Sequence, residues 1–160
     1  MRPRKVILDT NALFIPEIFG VDIFSEIERL GYTEIIVPAE VVAELERLRR
    51  KRLKGREKRA LNVAISILRK YENEMPYSAL RVSVLRDICN AEQREHDDGA
   101  MSHEKATGER AKSTDDAIIE LALREKAAVL TMDESLRKRL SKKGIVSICL
   151  RGGKRLEEAW

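Results

Sequence analysis

Aromatic residues make up only 4% of the 160-residue chain, which has two cysteines and two histidines. Each shortage closes off a class of chemistry. Cys89 and Cys149 lie far apart, with no CxxC and no histidine pair beside them. Neither a zinc site nor a redox dithiol is supported, and buried free thiols are the expectation. His96 and His103 both fall in a polar stretch, and no GxSxG turn occurs, so a serine or cysteine nucleophile has no base in a structured position. GxxxxGK[ST] and GxGxxG are both missing, which leaves nucleotide binding through a glycine loop unsupported. No apolar run approaches ~20 residues, and the apolar part of MRPRKVILDT is too short for a signal peptide. The expectation is a cytoplasmic protein without membrane contact.

Apolar residues, at 43%, suffice for one real core but hardly two, so a single domain over residues 1–160 is expected. The net charge of +4 conceals a local imbalance. RRKRLKGREKR, from Arg49 to Arg59, is almost entirely basic, and a smaller group, RGGKR, runs from Arg151 to Arg155. Beside a cluster of acids, such runs give the charge map of a site that handles polyanions. Their ordinary explanation is a solvated helix face in a charge-rich protein.

Short β-branched runs alternate with helical patterns. Lys5–Leu8, Glu34–Val37, Leu80–Leu85, Ala127–Thr131 and Ile145–Leu150 read as continuous apolar strands covered on both faces of a parallel sheet. Helical spacing occupies Val21–Leu30 and the segment opened by Pro38. It recurs in the segment from Glu57, in the one capped by Ser113 or Thr114, and in Glu134–Lys143. Five strands alternating with five helices describe an open α/β sheet. NAEQREHDDGAMSHEKATGERAK, spanning 90–112, cannot support a core and is expected to be a mobile polar loop; its HDD at His96–Asp98 reads as solvated.

Four carboxylates adjoin these apolar segments: Asp9 in VILDTNAL, Glu44 in VPAEVVAELERL, Asp116 in STDDAIIELAL and Asp133 in VLTMDESL. Singly, each has an ordinary explanation as a cap, a turn residue or a helix-dipole partner. Together they share one neighbourhood. Asp9 and Asp133 follow strands directly, and in an open parallel sheet ligands bind beyond the carboxyl ends of strands, at the switch point. Val41 at i−3 and Leu48 at i+4 turn Glu44 inward. Gathered carboxylates need cations to hold their repulsion, and hard oxygen donors suit Mg²⁺ or Mn²⁺ acting on phosphate. A phosphorylated Asp9 of the haloacid-dehalogenase kind would call for a second aspartate two residues on, where Asn11 stands.

LDTNAL at Leu8–Leu13, VVAELERL at Val41–Leu48, TDDAIIELAL at Thr114–Leu123 and LTMDESLRKRL at Leu130–Leu140 resemble, in order and spacing, the motifs of PIN-domain ribonucleases. FGVDIF, the doubled aspartate and RGGKRL look more similar to the archaeal and eukaryotic branch associated with ribosomal RNA processing than to VapC-type toxins. The resemblance implies a single PIN-like domain with an open five-stranded parallel sheet flanked by helices on both faces. It implies a nuclease using one or two Mg²⁺ or Mn²⁺ ions and leaving a 5′-phosphate and a 3′-hydroxyl. By position Asp9, Glu44, Asp116 and Asp133 match the acidic set, with Asn11 and Thr131 as polar supports. Asp9 is the bridging ligand; the doubled pair leaves open which aspartate is the inner one, with Asp116 preferred because it stands at the family position before Ala117 and Ile118, and Asp115 is a further ligand. The expected partner is RNA, single-stranded or an rRNA precursor; a homodimer is compatible with the reading.

Two other readings remain: a VapC-type toxin, which needs an antitoxin, and a non-catalytic RNA-binding assembly module, for which the complete acidic set is unexpected. In all three, Arg49, Arg50, Lys51, Arg52, Lys54, Arg56, Lys58 and Arg59 are the candidates for gripping a phosphate backbone. Replacing Arg49, Arg50, Lys51 and Arg52 by Gln is expected to weaken RNA binding. The log–log salt slope should flatten by roughly 0.7 per lost single-strand phosphate contact, measured by a salt titration of affinity. Parental affinity and slope would mark this run as merely solvated.

Overall fold

The computed structural model describes residues 4–73, 81–84 and 113–160. The polar stretch at 90–112, both histidines and Cys89 therefore lie outside the described residues. The sheet runs in the order β3-β2-β1-β4-β5-β6. Its strands are β1 (Lys5–Leu8), β2 (Glu34–Val37), β3 (Arg81–Val84), β4 (Ala128–Leu130), β5 (Ser147–Arg151) and β6 (Arg155–Ala159). The first five are parallel. Consecutive side chains of a strand point to opposite faces, yet Val6, Ile7 and Leu8 are all fully buried, as are Val129 and Leu130. Both faces of the sheet are therefore covered, and this is why these segments read as unbroken apolar runs.

Beyond β1 the chain makes a 3-10 turn (Thr10–Phe14) and then α1 (Ile15–Phe19), α2 (Ile23–Arg29), α3 (Ala39–Arg50), α4 (Gly55–Asn73), α5 (Thr114–Glu125) and α6 (Glu134–Lys142). Short polar side chains set several starts. Asp22 accepts from the amides of Phe24 and Ser25, Ser113 from that of Asp116, and Asp133 from those of Ser135 and Leu136. The apolar stripes of these helices, among them Ile23 and Ile27, Val41 and Leu45, and Leu136 and Leu140, join one buried core with the strands. Cys149 is a buried free thiol in β5. Among the described residues no helix is long and apolar enough to cross a membrane.

Two features differ from the sequence expectation. The segment Thr10–Phe19 is helical where no element was expected, with Pro16 in the first turn of α1. The sheet also has six strands, because β6 folds back antiparallel on β5, pairing Leu150 with Leu156 and Arg151 with Arg155. RLEEA buries only Leu156 completely, so its hydrophobic signal is weak. The hairpin was announced by Gly152–Gly153 instead: both take positive φ, 57° and 66°, as the primed turns of hairpins require. Lys154 N donates to Arg151 O at 3.1 Å and closes the turn.

As an edge strand, β6 turns one row of backbone groups away from the sheet, and α2 covers them. Leu156 N donates to Glu26 Oε2 at 2.9 Å, while Arg29 Nη2 donates both to Leu156 O at 2.8 Å and to Glu26 Oε2 at 2.7 Å. A carboxylate and a guanidinium thus stand in for a seventh strand. The hydrogen bonds from Arg29, then that from Leu156 N, hold the Glu26 carboxyl below its ordinary 4.5, at about 2. Because the folded value is the lower one, this contribution is complete above pH 4.5 and fades as pH falls toward 2. Glu26→Gln is expected to lower the melting temperature at pH 7 by roughly 2–4 °C, the shift for about 1 kcal/mol in a domain of this size. The gap from the parent should narrow as both are measured down to pH 3. An equal gap at both pH values would exclude the ionised carboxylate as its source.

Candidate active site

The strand order reverses between β1 and β4, so a crevice opens beyond their carboxyl ends. Asp9 is the first residue past β1, its amide still bonded to Leu130 O of β4 at 3.1 Å. Its side chain is 7% exposed. One carboxylate oxygen accepts from Thr10 N at 2.7 Å and the other from Thr131 Oγ1, also at 2.7 Å. Thr131, fully buried at the end of β4, also accepts from Asp133 N at 3.1 Å, so one hydroxyl ties the two strand-end aspartates together. Asp133 caps α6 through Oδ1 and is exposed. Thr10 Oγ1 donates to Glu44 Oε2 at 2.7 Å, which fixes the carboxylate of α3 beside β1. Asn11 Oδ1 accepts from Met132 N at 3.0 Å and pins the loops after β1 and β4 to one another.

The two adjacent aspartates of α5 have different surroundings. Asp115 shares the helix face of Ile118, Ile119 and Ala122, all buried; Asp116 shares that of exposed Glu120 and Leu123. Asp116 is held by its own helix cap and by α6: it accepts from Ser113 Oγ at 2.8 Å and pairs with Arg139 Nη2. Arg139, with Ser113, keeps its carboxyl below the ordinary range. Asp115 makes a longer contact, 3.5 Å, to Arg139 Nη1. Burial and then Asp133 push its carboxyl up, Arg139 offsets part of this, and Asp116 and Glu44 add to it. Burial likewise raises Asp9, against the hydrogen bonds from Thr131 and Thr10, with Asp115 and Glu44 adding repulsion.

Asp9 thus feels Asp115 and Glu44, and Asp115 feels Asp133, Asp116 and Glu44, while the guanidinium of Arg139 favours Asp116. Among the described residues no three such side chains already converge into a metal cage. The oxygens of Asp9, one of Glu44 and one of Asp133 are taken up by amides and hydroxyls. The donor set nonetheless fits a hard divalent cation: it is all oxygen, anionic, and includes a buried carboxylate that has no ion pair among the described residues.

The profile of a family described as "PIN like domain" matches residues 6–93 and 99–153, most of the chain. The chain belongs to the PIN-like domain family. Among solved structures, "the PIN domain endonuclease Utp24" matches with a TM-score of 0.58 and 25% identity, over 97% of this chain and 92% of that one. A domain of a functionally unknown protein from Methanocaldococcus jannaschii matches with a TM-score of 0.54 and 23% identity, over 93% of this chain and 92% of that one. No match was found among the curated proteins.

In this PIN-like domain two polar residues at the crevice had not been singled out from the sequence. Thr10 follows Asp9 within LDTNAL and carries the link to Glu44; Arg139 lies in the RKR of α6 and reaches both aspartates of α5. The basic run spans the end of α3 and the start of α4. Arg49 approaches Glu46 at 3.8 Å, Arg59 approaches Glu17 at 3.6 Å, and Arg56 donates to Ile18 O at 3.2 Å. The last two contacts set the start of α4 against α1, on the side of the molecule where β1 ends.

A carboxyl whose folded value is raised opposes folding when ionised, and the opposition is relieved as pH falls. Asp9→Asn should therefore melt at or above the parent's temperature at pH 7 in chelator, since an amide keeps an acceptor for Thr10 N and a donor for Thr131. Adding Mn²⁺ should raise the parent's melting temperature and leave the variant's nearly unmoved. A variant that melts well below the parent in chelator would show that Asp9 serves the fold rather than a ligand.

Proposed function

We propose that this PIN-like domain is a metal-dependent endoribonuclease that hydrolyses RNA phosphodiester bonds, acting in RNA processing of the ribosomal type. The observation that carries the reading is the buried Asp9 carboxylate at the switch point, with Asp115 and Glu44 repelling it and, among the described residues, no cationic side chain paired with it. The likeness to the endonuclease Utp24 over nearly the whole chain supports the nuclease part. Preference for RNA rests on the sequence motifs, because hydrolysis by water does not use the 2′-hydroxyl.

Asp9, Asp115 and Asp133 would hold one or two Mg²⁺ or Mn²⁺ ions, with Glu44 as a further ligand or as the group that orients water. A divalent cation supplies Lewis-acid stabilisation of the charge that builds on the attacking and leaving oxygens. The chain supplies the rest. Thr131 fixes one oxygen of Asp9 and the amide of Asp133, so the two strand-end acids keep their spacing. Thr10 orients Glu44. Arg139 holds Asp116 aside and thereby leaves Asp115 to face the crevice. Water adds to phosphorus, the P–O3′ bond breaks, and the products are a 5′-phosphate and a 3′-hydroxyl. Arg49–Arg59 carries the phosphate backbone toward the acids without taking part in the bond change.

This reading reverses the sequence-based preference for Asp116 as the inner aspartate. Cleavage of end-labelled structured and unstructured RNA in Mn²⁺ tests it. Asp9→Asn and Asp115→Asn should each lose on the order of 100-fold or more, and Asp116→Asn about 10-fold, the scale of a residue that only orients a ligand. Normal cleavage by folded Asp9→Asn would sink the nuclease assignment. A larger loss for Asp116→Asn than for Asp115→Asn would restore the original order.

A further inference from the structure

Phe19 ends α1 and is 44% exposed, beside Ile18 at 37%. In a chain this poor in aromatics, two adjoining large apolar side chains left to solvent call for a reason. Their surroundings are cationic. From α4, Arg56 donates to Ile18 O, and Arg59 stands 3.6 Å from Glu17 with its own side chain 71% exposed. On the other side the β5–β6 turn runs along the ring: a Cβ at Gly153 would lie 3.6 Å from Phe19 Cδ1, and Lys154 follows, exposed. Among the described residues, Lys51, Arg52, Lys54, Lys58 and Lys154 form no ion pair.

An open ring with Arg56 and the exposed Arg59 on one side and the exposed Lys154 on the other has the make-up of a single-strand nucleic-acid platform, where a base stacks while its phosphates meet lysine and arginine. A protein partner would have to bring a strongly acidic surface to the same place. The distance suits the nucleic acid. Asp9 caps the 3-10 turn that leads straight into α1, so by helical rise Phe19 lies no more than about 18 Å along the chain from the carboxylate. We infer that Phe19 stacks an unpaired base of a single-stranded RNA whose backbone is held between the start of α4 and the Gly153–Lys154 turn. The choice of RNA rests on the nuclease reading of the acidic crevice; the platform itself does not require cleavage.

The test is binding in chelator, without divalent ions, to a single-stranded oligoribonucleotide and to polyphosphate of similar charge. Phe19→Ala should bind the oligonucleotide on the order of 10-fold more weakly, with its salt slope unchanged and its polyphosphate affinity equal to the parent's. Phe19→Tyr should restore the affinity, which separates stacking from damage to the fold. Parental oligonucleotide affinity in Phe19→Ala would overturn the inference, as would an equal loss toward polyphosphate. Loss of a self-association seen in the parent, with RNA binding intact, would make this face a protein interface and overturn it too. Cleavage by the same proteins in Mn²⁺ reads the acidic crevice separately, so binding without cleavage would refute the nuclease assignment and leave the platform standing.

Discussion

A carboxylate with almost no access to water is held at the end of β1, and much of the crevice is arranged around what that costs. Burying an ionised group is unfavourable unless its oxygens are bonded and its charge is met. Here each oxygen is bonded, to Thr10 N and Thr131 Oγ1, while among the described residues no cation meets the charge, which Asp115 and Glu44 aggravate. The residues around Asp9 serve to keep that arrangement from relaxing. Thr131 cannot turn away without releasing the amide of Asp133, and Asn11 locks the loop that carries it.

The contrast within the doubled aspartate follows from the same constraint. Two carboxylates on consecutive residues of a helix diverge by ~100°, so one set of neighbours cannot serve both. Arg139 and Ser113 satisfy Asp116 as surface groups satisfy a surface acid, leaving Asp115 in the crowd of negative charge. An acid closely matched by a guanidinium gains little from a further cation, whereas one that meets the same guanidinium only at 3.5 Å, among other carboxylates, gains more.

Much of the sheet could be read from the chain because its strands are buried on both faces; runs such as KVIL and EIIV admit few other states. β6 was harder to see, since one buried leucine in RLEEA gives no period, and its stability comes from Glu26 and Arg29 across space. The placement of Asp9 and Asp133 beyond parallel strands was visible for the same reason that the strands were. The different surroundings of the two α5 aspartates were also visible in principle: Ile118, Ile119 and Ala122 lie three, four and seven residues beyond Asp115, whereas the corresponding partners of Asp116 include Glu120 and Leu123. Thr10 and Arg139 act through contacts between distant elements, and single-sequence spacing carries little trace of those.

The pairing of β1 with β4 brings Leu8 beside Leu130 and gives Asp9 its bond from Thr131, 122 positions away. A chain emerging from the ribosome, N-terminus first, therefore exposes Asp9 and Glu44 long before it contains the hydroxyl, the second strand-end aspartate or the arginine that complete their surroundings. Until then Asp9 is an ordinary hydrated acid at the end of a sheet edge. The crevice comes into being only once the last third of the domain has been made, so its crowd of negative charge is a property of the finished fold and of no earlier stage of the chain.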